Sequence, residues 1–284
     1  MKKERKYFKL SIIIVTILVF TVYCYIQNNW IETQNIKIEI NNLPEGLNGL
    51  KIAQVSDVHL RKNTSSIDNI INIVKKEKPD IIVMTGDIID QSADVKTCGL
   101  ERLCKGLSDI AKTYAVTGNH EIWNGNVDEW TSILTENNVD VVDDKIEIYT
   151  KNNKSIAILG IKDASEYKPS NFKDINKVKD MPRILLAHQP ELFTSSYSSS
   201  LNSINPNLVF SGHAHGGQFR IPIINKGIVA PDQGLFPKYT SGLYVNNNVD
   251  MIVSRGLGNS IIPIRVNNRP HIPITILSSV TKKA

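Results

Sequence analysis

Five short polar clusters in this chain each follow an apolar run, and their residue types are those of metal ligands. They are Asp57-Val-His59, Gly86-Asp87, Gly118-Asn119-His120-Glu121, Ala187-His188-Gln189, and Gly212-His213-Ala-His215-Gly216-Gly217. Five of the chain's 6 histidines fall in this set. In extended backbone, residues two apart face the same side. Asp57 with His59, and His213 with His215, can therefore each offer two ligands to one place. Carboxylate, imidazole and amide together suit borderline divalent ions such as Mn, Fe and Zn. The 3 cysteines, Cys24, Cys98 and Cys104, lie outside the set and show no zinc-knuckle spacing. A thiolate structural zinc site is excluded. One such cluster alone is ordinary turn chemistry. Five in series, each closing an apolar run, point to a metal centre.

The apolar runs are the elements that must hold these residues. Lys51 to Asp57, Ile81 to Asp87, Thr113 to Asn119, Ser155 to Ile161, Arg183 to His188 and Leu208 to His213 read as buried strands, by length and β-branched content. Helices are expected from a Ser65/Asp68 capping box through Lys78, stopped by Pro79, and over Asn126 to Asn137 and Glu191 to Ser200. Strand and helix alternate, so the organisation is α/β with crossovers, and a site belongs beyond the carboxyl ends of the strands. After Gly216 only short, mostly antiparallel strands are expected. No internal repeat or second linker interrupts the chain, and one domain from about residue 45 to 280 accounts for the pattern. Cys98 and Cys104 read as two buried thiols, although an exported domain would allow them to pair.

The net charge of +5 is concentrated at one end. Residues 1–9 carry Lys2, Lys3, Arg5, Lys6 and Lys9 against Glu4, a net +4, which taken from +5 leaves +1 for everything else. A near-neutral body argues against a nucleic-acid footprint. Leu10 to Ile31 holds no charged residue. As a helix it would rise about 33 Å, enough to cross a bilayer. Basic residues precede it and Glu32 follows, so residues 1–9 are expected to be a cytoplasmic flank and residues 10–31 a transmembrane anchor. No small-x-small cleavage site follows the run, which favours an uncleaved anchor over a signal peptide. Glu32 to Asn48 reads as a short stalk merging into a first strand, and residues 49–284 as the catalytic domain. The expected location is the cell membrane, single-pass, with that domain extracytoplasmic.

With these motifs in place, the sequence resembles the calcineurin-like metallophosphoesterases. Asp57-x-His59, Gly86-Asp87, Gly118-Asn119-His120-Glu121, His188 and Gly212-His213-x-His215 match that family's signature in order. Further on, Ala230-Pro-Asp-Gln-Gly-Leu-Phe-Pro-Lys-Tyr239, Ser254-Arg-Gly-Leu-Gly-Asn259 and Arg269-Pro270 are similar to the membrane-associated YkuE/YaeI-type branch. That branch usually places Glu after the final Arg-Pro. Here the residue is His271, to which no role carries over; by itself it reads as structural or exposed. The resemblance implies a four-layer αββα sandwich with two divalent metals (Mn, Zn or Fe) at its edge. It implies that Asp57, His59 and His215 hold the first metal and Asn119, His188 and His213 the second, with Asp87 bridging. A bridging hydroxide would attack phosphorus between two such ions, and His120 would protonate the leaving oxygen or bind a phosphoryl oxygen.

Four further residues have simpler readings. Asp90 is expected to orient a ligand histidine or cap a helix, and Trp123 to pack in the core. Arg61 and Arg255 are candidates for phosphate binding. The expected function is a membrane-anchored phosphoesterase, a hydrolase acting on phosphodiesters or lipid-linked envelope phosphates. Its expected partners are such a substrate and the membrane, with no nucleic acid. Two alternatives stand beside it. One is a non-catalytic scaffold on the same fold; in its metal-free form it would be expected to lack ligands, and none of the seven is missing. A nucleotide or UDP-sugar-lipid pyrophosphatase would share the ligand set, but an enzyme acting on cytoplasmic nucleotides or nucleic acid conflicts with the anchor's orientation and the near-neutral body.

Overall fold

Runs of Ile, Val and Leu bounded by turn residues form the strands in the computed structural model of the chain, which describes residues 2–62, 64, 66–163, 172, 174–193, 204–246, 249–259 and 263–280. The N-terminal helix α1 (Lys2–Asn29) leads almost directly into strand β1 (Glu32–Ile40). Then come β2 (Lys51–Val55), α2 (Ile67–Glu77), β3 (Ile81–Thr85), α3 (Leu100–Ser108), β4 (Lys112–Val116), the short α4 (Asn119–Asn124), α5 (Val127–Glu136) and β5 (Val139–Val141). The second half is mainly strand: β6 (Ile146–Lys151), β7 (Lys154–Gly160), β8 (Arg183–Leu186), β9 (Leu208–Ser211), β10 (Val229–Ala230), β11 (Gly234–Leu235), β12 (Gly242–Asn246), β13 (Val249–Val253) and β14 (His271–Ser279).

Among the described residues two six-stranded sheets form, ordered β1-β14-β2-β3-β4-β5 and β12-β13-β9-β8-β7-β6, with β10 and β11 a separate two-stranded pair. Strands β2 to β5 run parallel, as do β7, β8, β9 and β13. All motif-bearing strands therefore present their carboxyl ends along the same edge of their sheets. Among the late strands, β10 pairs with β11, β12 with β13 and β14 with β2 in the expected antiparallel sense, while β13 joins β9 and β14 joins β1 in parallel.

Strand alternation divides the core into layers. Ile52, Ile81, Val83 and Val116 face the second sheet, where they meet Ile156, Ile158, Leu186 and Phe210. Ala53, Val55, Ile82 and Met84 face the other way, under the helices, with Leu103, Leu107 and the buried Trp130. Full burial of one such aliphatic side chain contributes about 1.5–3 kcal/mol. The outer face of the second sheet is covered by Val178, Phe193 and Tyr239, from 3₁₀ turns and loops. The fold is thus an α/β sandwich of two facing mixed sheets. Among the described residues its fourth layer is made of 3₁₀ turns rather than α-helices.

Several local expectations meet different outcomes. Helix α2 stops at Glu77, with Lys78 in the left-handed region just before Pro79. Ser65 of the capping box lies outside the described residues, and Asp68 pairs instead with Arg102 of α3 at 2.5 Å. Of the candidate helix Glu191 to Ser200, residues up to Phe193 form a 3₁₀ turn and the rest lies outside the described residues. Of the segment read as a stalk merging into a first strand, Glu32–Ile40 is already strand, paired throughout with β14, and a 3₁₀ turn follows at Glu45–Leu47. Cys98 and Cys104 are both buried free thiols. Helix α1 is exposed from Arg5 to Val22 and half-buried at Tyr23, Cys24, Gln27 and Asn28, and it is long and apolar enough to cross a membrane by length and composition.

Candidate metal centre

The site forms where β2, β3, β4, β8 and β9 end. Each chain must turn sharply there while carrying a ligand. Asp57, His59, Asp87, His213 and His215 all adopt positive φ, between 45° and 65°. Non-glycine residues seldom hold that region, and such strain collects at functional sites. Two glycines permit the close approach. A Cβ on Gly118 would stand 2.4 Å from Asp87 Oδ1, and one on Gly212 would stand 2.1 Å from Ser56 Oγ and 2.5 Å from Asp57 Oδ2.

The ligand atoms fall into two groups that share one residue. Asp57, His59, Asp87 and His215 place their ligand atoms within 4.8 Å of one another, and so do Asp87, His188 and His213. In the first group His59 Nε2 and His215 Nε2 are 3.1 Å apart, with Asp57 Oδ1 3.6 Å from His215 Nε2. In the second, His188 Nε2 is 3.3 Å from Asp87 Oδ2 and 3.1 Å from Asn119 Oδ1. All seven residues sequence motifs single out are buried here: Asp57, His59, Asp87, Asn119, His188, His213 and His215.

The donor set fits divalent cations. Asp57 Oδ2 is buried without a hydrogen-bond partner, a costly state for a carboxylate unless a cation meets it. Burial lowers the pKa of His59 to about 4 and that of His215 well below its usual value, so both rings stay neutral with lone pairs available. Burial alone would raise Asp87, but His188 and the other imidazoles around it hold its carboxyl below the usual range. Asp57 is raised by burial, with His188 opposing. Outer contacts fix the ligands. His188 Nδ1 lies 2.7 Å from Thr85 O, and the His213 N–H donates to Asp57 Oδ1 at 2.8 Å.

A cleft of about 440 Å³ opens over the ligands, and His120, Arg61, Asp90, Trp123 and Asp232 line it. His120 stands above Asp87: its backbone N–H donates to Asp87 Oδ1 at 2.8 Å, and its ring Nε2 is 3.9 Å from Asp87 Oδ2. Its Nδ1 accepts the Gln91 N–H at 3.1 Å. Arg61 reaches the cleft with its Nη2 held 2.7 Å from Asp90. Asp90 thus anchors Arg61, receives Ser92, and sits 3.7 Å from His120 Nδ1; it caps no helix. Burial would raise Asp90, but hydrogen bonds from Arg61 and Ser92 bring it down to about 2. Trp123 is exposed on the cleft rim, its ring 5.4 Å from that of His120, so it is not a core residue. Arg255 turns away from the cleft: its Nη2 is 3.1 Å from Glu32 and its Nε donates to Arg269 O.

Sequence reasoning gave no role to three residues at the site. Glu121 is buried and accepts the N–H groups of Asp87, Ile89 and Gly118 at 2.8, 3.0 and 2.7 Å. It staples the β3 and β4 turns together, although burial and the nearby Asp87 push its carboxyl up to about 7. Its place beside Asn119-His120 was the available signal. Asp232 lies 2.9 Å from His213 Nε2, and Glu191 lies 3.6 Å from the same atom. Asp232 follows Ala230-Pro231 in the branch-like stretch. Nothing around Glu191 marks it in one dimension. His271 is fully buried, with neither ring nitrogen hydrogen-bonded.

Two carboxylate and imidazole clusters that share an aspartate, at the edge of two facing mixed sheets, are suited to hold two divalent ions. The chain belongs to the calcineurin-like phosphoesterase family, whose profile matches residues 50–217. It is therefore a metal-dependent phosphoesterase. It is 29% identical over 262 residues to the uncharacterized metallophosphoesterase YkuE of Bacillus subtilis, covering 90% of this chain and 88% of that one. It is 24% identical over 257 residues to the phosphodiesterase YaeI of Escherichia coli, covering 87% and 88%. It is also 29% identical over 261 residues to a transmembrane protein with metallophosphoesterase domain of Bos taurus, covering 86% of this chain but 56%, about half, of that protein. These relatives are consistent with the YkuE/YaeI-type branch. Among solved structures, the sulfate thiohydrolase SoxB of Thermus thermophilus superposes with a TM-score of 0.50 at 9% identity, covering 84% of this chain and 58% of that one, which bears on the fold alone.

Proposed function

We propose that the protein is a membrane-anchored, two-metal phosphoesterase acting on phosphodiesters or lipid-linked envelope phosphates in preference to free monoesters. One observation carries the reading: the Asp87 carboxylate stands between both ligand groups and directly beneath His120. Asp57, His59 and His215 would hold one ion, Asn119, His188 and His213 the other, and Asp87 both. Bound Mn, Zn or Fe would supply Lewis acidity toward the phosphoryl oxygens and a water of lowered pKa.

The chain's own residues supply the rest. His188 gives its Nδ1 proton to Thr85 O, which leaves Nε2 free as a ligand. His120 accepts at Nδ1, so its proton is on Nε2, the atom aimed toward Asp87 and the cleft. From there it would donate to the leaving oxygen. Arg61, oriented by Asp90, would bind a phosphoryl oxygen. Arg255 is proposed no longer for that role, because its guanidinium serves Glu32. Trp123 on the rim offers a flat apolar surface to the substrate's ester group.

The preference for the bilayer rests on distance. With β1 starting at Glu32, no stalk separates helix and domain. Basic residues before the apolar run support a cytoplasmic flank over residues 1–9 and a domain outside, by the positive-inside rule. The test uses the full chain in detergent with Mn²⁺, assayed on bis- and mono-nitrophenyl phosphate. Faster hydrolysis of the diester, abolished by chelation, is expected. A monoester preference would overturn the substrate class, and a reporter fused after Ala284 that proved cytoplasmic would overturn the orientation.

A further inference from the structure

We infer that the turn of residues 221–226 and the hairpin of residues 231–238 form an edge that sits in the membrane interface and holds the mouth of the cleft against the bilayer. The inference rests on the membrane-anchored reading above and extends it to a named surface. The two turns carry the same pattern: Ile223-Ile224-x-Lys226 and Leu235-Phe236-x-Lys238. Ile223 is fully exposed, and Ile224, Leu235 and Phe236 are 58%, 73% and 69% exposed. The Phe236 N–H donates to Ile228 O, which ties the hairpin to the strand leaving the first turn. Four large apolar side chains thus share one edge, with both lysines exposed beside them. Apolar groups flanked by lysine suit a surface of acyl chains under anionic headgroups.

The choice of a lipid surface over a protein partner comes from continuity with α1. Tyr23 of that helix bonds Asn267, its hydroxyl 2.8 Å from Oδ1, and Gln27 Oε1 accepts the Asn268 N–H at 2.9 Å. Asn267 Nδ2 in turn donates to Arg220 O, at the base of the first turn. Tyr23 precedes the helix end at Asn29 by six residues, about 9 Å along the axis. The body therefore docks beside the helix and not beyond its tip. The first turn lies near the level of Tyr23 and Tyr25, where aromatic residues mark the interface. Pro231 and Asp232, from the second hairpin, line the cleft. Asp232 is also the residue 2.9 Å from His213. A surface that seats this hairpin also sets the opening through which a lipid phosphate would reach the site.

The test is depth-dependent quenching in the full chain, reconstituted in phosphatidylcholine and phosphatidylglycerol vesicles. Cys24→Ser removes the one thiol that is not buried. An environment-sensitive fluorophore is then attached at Ile223→Cys, at Phe236→Cys, or at Ile148→Cys. Ile148 is an exposed apolar residue on β6, at the opposite edge of the second sheet from β12. Probes at 223 and 236 are expected to emit to the blue and lose intensity with doxyl-labelled lipids, while the probe at 148 emits as in water. Water-like emission at 223 and 236 would overturn the inference. So would a blue shift without lipid quenching, which would show that a second copy of the chain covers the edge. Because the readout needs no turnover, a chain with quenched probes but no lipid phosphatase activity would fail the substrate reading alone.

Discussion

His120 shows what single residues contribute and how far the sequence revealed it. The motif placed it next to Asn119, but not the Gln91 N–H that fixes its tautomer, nor the Asp87 carboxylate beneath its Nε2. Such contacts join residues about thirty positions apart and leave no local pattern. His120→Ala is expected to lower kcat at least about a hundredfold, in the range of a lost general acid, with bound metal unchanged by elemental analysis. Loss of metal with activity would make His120 a ligand instead. His271 makes the opposite point. One dimension left it structural or exposed, and it is buried among Arg255, Arg220 and Arg265. Burial first, then those cations, lower its pKa well below the usual 6.5. The unfolded chain takes a proton there that the folded chain refuses, so stability falls as pH drops below 6.5. At most about 1.4 kcal/mol is lost per pH unit. Between pH 7.5 and 5.5 the wild type should therefore lose about 1 kcal/mol more stability than His271→Leu, measured by urea unfolding. An equal loss would show that the ring takes up its proton as readily in the folded chain as in the unfolded one.

Elements were easier to read than contacts, for a physical reason. Strands β2, β3, β4, β8 and β9 are short, apolar and closed by polar residues, so their identity is carried locally. Helix α5 likewise follows its periodicity. Helix α3 was not anticipated. Its apolar positions Leu100, Leu103, Cys104 and Leu107 do repeat at helical spacing, but it begins at a left-handed glycine and no capping residue announces it. The pairing of β1 with β14 joins residues 32–40 to 271–279, and no spacing rule reaches that far. The same distance hid the Glu32 clasp on Arg255 and Arg269. The meeting of β2 and β9 carries a test at this scale. A methyl group at Gly212 would collide with Ser56 and Asp57, so Gly212→Ala should cut activity at least about tenfold by displacing Asp57, since even small misplacement of reacting groups is costly. Far-UV circular dichroism should be unchanged. Full activity would mean the two sheet edges can part without cost.

At the scale of the whole molecule, the net charge of +5 divides into +4 over residues 1–9, beside an apolar helix, and a nearly neutral body. The family domain, residues 50–217, accounts for the ligands up to the last histidine pair. The chain beyond it supplies β12 to β14, the hairpin with Asp232, and the segment that grips α1. Helix α1 and the site are thus linked through Asn268, whose Nδ2 donates to His215 O at 2.7 Å while its N–H holds Gln27. The central claim is that one aspartate joins two metal ions into a single hydrolytic site. The most direct measurement is metal stoichiometry together with Mn²⁺-dependent hydrolysis of bis-nitrophenyl phosphate, for the full chain and for Asp87→Ala. Two ions per chain are expected in the wild type, with occupancy and turnover both collapsing in the variant. Turnover that persists in Asp87→Ala after chelation would contradict the account.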